Sequence, residues 1–179
     1  MLELKNTTLL IIDVQGKLSQ IMYNKDAFFD NLKKIINAAK ILDMPILWLE
    51  QIPENLGLTS PEIAKLLRGY KPISKYTFSG CKNQEFMEEL KRINRKQILL
   101  TGIETHICVY QTGVDLMNLG YEVHVLADAV ASRISENKDI GLERIKMQGG
   151  VISSVEMAVF EIVKHAKIPE FKDIIEVIK

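Results

Sequence analysis

Three stretches of the sequence are apolar from one residue to the next: TLLIID (8–13), PILWLE (45–50) and QILLTG (97–102). A strand with one wet face alternates apolar and polar residues, so runs this short and continuous read as strands buried on both faces. Amphipathic segments lie between them. Residues 26–43 carry Phe28, Phe29, Leu32, Ile35, Ile36, Ala39 and Leu42 at helical spacing, with charges between. Further strands are expected at ISKYTF (73–78), YEVHVLADAV (121–130) and within GGVISS (149–154). Further helices are expected over 60–67, 83–94, 105–119, 137–148 and 154–166, with a last amphipathic segment after Pro169. Ser60 and Pro61 suit the first helix start, Gly120 stops the helix over 105–119, and Ser153 with Glu156 suggests a capping box. Strands alternating with helices imply right-handed crossovers. The expected fold is a three-layer α/β/α sandwich, with a mostly parallel six-stranded sheet and helices on both faces.

A chain of 179 residues suits one domain, expected to span 1–179. Lys plus Arg and Asp plus Glu each number 23, so the net formal charge is zero and a strongly basic nucleic-acid surface is not expected. Two cysteines are too few for a disulfide framework, which points to a reducing cytoplasm. The opening MLELKNTTLLIID has a short apolar part ending in an acid, so it reads as neither a signal peptide nor a membrane span. No G-x-G-x-x-G follows the first strand, which sets a dinucleotide-binding dehydrogenase aside.

In parallel sheets of this kind the ligand crevice lies beyond the carboxyl ends of the strands, at a switch point in strand order. Asp13 ends the first strand, with Gln15 two residues on. Glu50 and Gln51 end the second and face either a substrate or the long 51–60 loop. Lys75 lies in or just after the third, followed by Phe78 as core or pocket wall. Cys108 follows the Thr-Gly that closes the fourth. If Thr105 caps the next helix, Cys108 falls in its first turn, where the partial positive charge stabilises a thiolate. A nearby lysine would add to that, and a carboxylate would accept the thiol proton. Spacing alone does not choose Lys75 among the lysines. His106 faces either the crevice, or solvent or a neighbouring subunit. Cys81 reads as structural, and no C-x-x-C supports a thiol redox protein.

LLIIDVQ at the first strand, KYTFSG around Lys75, LLTGIETHICVYQT at the cysteine and VLADAVASR after the fifth strand occur in that order. Together they resemble the isochorismatase-like cysteine hydrolases over nearly the whole chain. EQIPENLG (50–57) and MQGGVISSVEMAVFEIV narrow the likeness to the isochorismatase domain-containing proteins. The resemblance implies a catalytic triad of Asp13, Lys75 and Cys108. It implies a cis peptide at Ile103–Glu104, and an oxyanion hole from the backbone N–H groups of Glu104 and Cys108. It implies a covalent thioester-like intermediate on Cys108 and assembly into a homo-oligomer, dimer or larger. Substrate-pocket candidates are Gln15, Glu50, Gln51, Phe78 and His106.

Nicotinamidases of this family hold a metal with Asp and His after the second strand. Here that segment is LEQIPENLGLTSPEI, without histidine, and the chain's three histidines are His106, His124 and His165. No metal and no other cofactor are expected. True isochorismatases commonly lack the cysteine, so a small amide-type C–N substrate is expected instead, with neither nucleic acid nor membrane as partner. The competing expectation is a non-catalytic binding or assembly protein on the same scaffold.

Overall fold

The computed structural model describes all 179 residues, and the apolar runs form its sheet. The strands are β1 (Thr7–Ile12), β2 (Ile46–Gln51), β3 (Ile73–Lys75), β4 (Gln97–Ile103), β5 (Glu122–Ala131) and β6 (Val151–Ser153). Every pairing is parallel, in the order β3-β2-β1-β4-β5-β6. The chain runs outward from β1 to β3, returns to the other side of β1, and runs outward again to β6. That reversal puts the switch point at the carboxyl ends of β1 and β4.

The helices are α1 (Gly16–Gln20), α2 (Lys25–Ile41), α3 (Pro53–Leu56), α4 (Pro61–Ala64), α5 (Gln84–Ile93), α6 (Tyr110–Asn118), α7 (Ser135–Met147), α8 (Val155–Val163) and α9 (Phe171–Ile178). Leu9 and Ile11 of β1 pack with Phe28, Leu32 and Ile36 of α2, Val159 of α8 and Ile174 of α9. Leu10 and Ile12 turn to the other face, with Phe86 and Leu90 of α5, Leu116 of α6 and Ile145 of α7. Burial on both faces is why β1 reads as an unbroken apolar run. The apolar side of α9 docks on the chain's own core: Ile174 is buried and Phe171 meets Phe160 edge to face, ring centroids 6.5 Å apart.

β1 and β4 approach so closely that only glycine fits at position 102. Its φ is +110°, and a Cβ there would lie 2.0 Å from Ile12 O.

Several boundaries differ from the sequence expectation. The cap of α8 is Ser154, whose Oγ accepts from Met157 N at 3.2 Å; Ser153 belongs to β6, so there is no Ser153–Glu156 capping box. Asp128 shares the work, its Oδ1 accepting from Val155 N at 2.9 Å. α8 ends at Val163, because Lys164 turns to φ +64°. The helix expected over 60–67 is α4 followed by turns, and the Ser60 side chain makes no capping bond. The expected 105–119 helix divides into a π-helical turn, Thr105–Val109, and α6.

Candidate active site

Four strand ends meet at the switch point. Asp13 leaves β1 with φ +54°, a left-handed conformation that Asp adopts more readily than most residues. Its Oδ2 accepts from Lys75 Nζ at 2.7 Å. Lys75 closes β3 and is fully buried. Its ammonium also donates to Gln51 Oε1 at 2.6 Å and to the carbonyls of Thr77 and Phe78, each at 3.2 Å. An ammonium has three protons. Two go to the short partners and the third is shared between the two carbonyls, which leaves none for a ligand.

Cys108 lies in the π-helical turn with 8% of its surface exposed. Glu104, not Thr105, holds the cap position of this turn; Glu104 O accepts from Val109 N at 3.3 Å, the five-residue spacing of a π turn. The Thr105 hydroxyl is buried without a partner. The Ile103–Glu104 peptide is cis, and the Glu104 N–H has no acceptor within the chain.

Asp13 and Lys75 both act on the Cys108 thiol. Burial pushes that thiol up to about 12; the Asp13 charge adds to the rise and Lys75 opposes it. Burial thus opposes the thiolate that a helix start favours. Burial also holds the Asp13 carboxyl above the ordinary carboxylate range, against the pull of Lys75. Asp13 Oδ1 is buried and has no hydrogen-bond partner. The arrangement is thus an ion pair with one free carboxylate oxygen, beside a buried thiol.

The remaining candidates divide. The Gln15 carboxamide acts as a short extra strand beside β2: Oε1 accepts from Gln51 N at 2.6 Å, while Nε2 donates to Gln51 O at 3.1 Å and Gly57 O at 2.7 Å. Glu50 holds the 51–60 loop, its Oε1 accepting from both N and Oγ1 of Thr59 at 2.7 Å. Thr59 Oγ1 in turn accepts from Trp48 Nε1 at 2.7 Å. Gln51 grips Lys75. Phe78 is 56% exposed, so it is not core. His106 is half-buried, with Nδ1 3.0 Å from Ser132 Oγ. The Glu104 side chain turns away to Arg133, accepting from its N at 3.0 Å and Nε at 3.1 Å.

Nothing in the sequence singles out Ser79 and Asp115, yet they fix the loop that cages Lys75. Ser79 Oγ donates to Asp115 Oδ2 at 2.7 Å, and Thr77 Oγ1 donates to Ser79 O at 2.7 Å. Cys81 is free and half-buried, its Sγ 3.8 Å from Thr112 O. No group of three or more His, Cys, Asp or Glu side chains is placed to hold a metal ion, and no helix is long and apolar enough to cross a membrane.

The family model for the Isochorismatase domain matches residues 7–157. The chain is 37% identical to the secreted isochorismatase effector Isc1 of Phytophthora sojae, over 97% of this chain and 85% of that one. It is 33% identical to mouse isochorismatase domain-containing protein 2A, over 98% and 84%. The solved structure of MAR1 ribonuclease from Caenorhabditis elegans superposes with a TM-score of 0.93 at 29% identity, covering 99% of this chain and 91% of that one.

Proposed function

Since the chain belongs to the isochorismatase family, whose members are in general hydrolases, we propose that it is a cysteine hydrolase of small amide-type substrates. In this reading residues 1–179 act as one domain, with Asp13, Lys75 and Cys108 as the catalytic triad. The observation that carries it is the division of labour on Asp13. One oxygen is held by Lys75, and the other is free beside a buried thiol.

Asp13 Oδ1 takes the thiol proton as Cys108 Sγ forms a bond to the amide carbon. The carbonyl electrons move onto oxygen, which the N–H groups of Glu104 and Cys108 receive. Donors of this kind are typically worth about 3 kcal/mol each in the transition state. As the C–N bond breaks, Asp13 returns its proton to the leaving nitrogen and a thioester remains. Asp13 then takes a proton from water, whose oxygen attacks the thioester carbon. The C–S bond breaks and Asp13 reprotonates the sulfur. The sum is amide plus water to carboxylic acid plus amine. Lys75 pairs with the carboxylate form of Asp13, the form that accepts the proton in each half of the reaction.

The C. elegans protein is named a ribonuclease. Here a small molecule fits better than RNA, because Cys108 and Asp13 are recessed and the net charge is zero. A cytoplasmic setting suits two free cysteines. The family resemblance adds a homo-oligomer, to be checked by light scattering.

The test is a panel of small amides with no added metal, with Cys108→Ala as control. The expected result is turnover that vanishes in the variant, together with faster alkylation of Cys108 than of Cys81. Turnover that persists in Cys108→Ala, or a more reactive Cys81, overturns the assignment. Silence together with an inert Cys108 would favour the non-catalytic scaffold.

A further inference from the structure

We infer that Gln51 is a positioning residue that fixes Lys75 on one oxygen of Asp13 and so leaves the other free for the thiol proton. The inference rests on the reading of Asp13 as the base for Cys108.

Gln51 is buried, and every polar group it carries toward the site is committed. Its backbone N–H and C=O are both held by the Gln15 carboxamide. Its side-chain Nε2 donates to Tyr76 O at 3.0 Å, which sets the amide so that Oε1 faces the ammonium. Oε1 then accepts from Lys75 Nζ at 2.6 Å, the shortest bond the ammonium makes. β2 and β3 place Gln51 and Lys75 in register, so the contact is built into the sheet.

A neutral acceptor suits this place. It satisfies one buried proton of the ammonium without bringing a second anion to compete with Asp13. With Gln51 on one side and the Thr77 and Phe78 carbonyls on another, the remaining proton of Lys75 points at Asp13 Oδ2. Asp13 is faced by Lys75 from β3, by Cys108 from the π-helical turn and, farther off, by Glu50 from β2. Lys75 is the only cation among them, so loosening it favours the protonated carboxyl.

The experiment follows carboxamidomethylation of Cys108 by iodoacetamide against pH, read by peptide mass, and needs no substrate. Wild type is expected to hold a plateau of reactivity that falls away on an acid limb as Asp13 is protonated, and Asp13→Asn to lose the plateau and that limb, leaving only the steady decline of free thiolate with falling pH. Gln51→Met removes the acceptor at similar volume. It should raise the midpoint by about one pH unit, or roughly tenfold in rate on the limb. Gln51→Asn keeps an amide one methylene too short to reach Nζ and should behave like Gln51→Met. It also serves if the methionine variant fails to fold. A midpoint unmoved in both variants, with the Asp13-dependent limb intact, overturns the role of Gln51 and leaves the triad standing. No Asp13-dependent limb in wild type overturns the triad reading itself.

Discussion

Taking away the ammonium of Lys75 would strand a carboxylate in a buried site. Breaking such a pair from one side typically costs about 3–5 kcal/mol, whereas neutralising both partners costs far less. Lys75→Met should therefore lower the urea midpoint sharply, and Asp13→Asn in the same chain should recover much of the loss. Asn is the right partner because position 13 has φ +54°, which Asn tolerates. Equal loss in single and double variants would show that the pair is not what holds this end of the sheet. On the proposed mechanism the same carboxyl sets an acid limit on turnover. Burial raises its pKa, and only the ionised form accepts the thiol proton. Activity should thus fall as pH drops through a midpoint above about 4, the ordinary carboxylate value. A profile of kcat/KM against pH with its acid limb at or below that value would contradict the role.

At the level of elements, the start of α8 and the β1–β4 contact offer separate checks. Ser154→Ala should cost about 1 kcal/mol by thermal denaturation, and Ser153→Ala distinctly less. The reverse ranking would restore the capping box. Gly102→Ala would drive a methyl into Ile12 O and should cost at least about 2 kcal/mol in a urea titration. The strands and most helices were legible because burial on two faces and helical spacing each leave a mark on composition. The one-residue shift from Ser153 to Ser154 was not, because adjacent serines offer the same chemistry and the sheet decides between them. The π-helical turn was equally invisible: an i→i+5 bond leaves no period in five residues. Asp13 could be picked out at the end of an apolar run, and Cys108 as a candidate in the segment that follows another. Lys75 could not be told from other lysines without a family resemblance, since its burial depends on an acceptor cage assembled from β1, β2 and the loop after β3. The part Glu50 plays in holding Thr59 is a tertiary fact of the same kind.

For the whole molecule, the thiols make folding sensitive to alkali. Burial pushes both Cys81 and Cys108 up to about 12. In the unfolded chain they would titrate near 8.5. Below that value both states keep the proton and the full stability is present. Above it only the unfolded chain gives up protons, so stability is lost as pH rises from about 8.5 towards the folded value. Urea titrations at pH 8 and pH 10 should show the loss, and Cys81→Ala/Cys108→Ala should reduce it. An unchanged slope in the double variant would mean that other groups cause the alkaline decline.

The strand order also has a consequence for biosynthesis. Ribosomes deliver the chain from its amino end, so the carboxylate of residue 13 and the amine of residue 75 exist before the sulfur of residue 108 is made. β4 is inserted against β1 only after β2 and β3 are already written. On the proposed reading the emerging polypeptide therefore carries its proton acceptor and counter-ion first and its nucleophile last. Until the fourth strand docks, the Cys108 thiol has neither Asp13 nor Lys75 beside it.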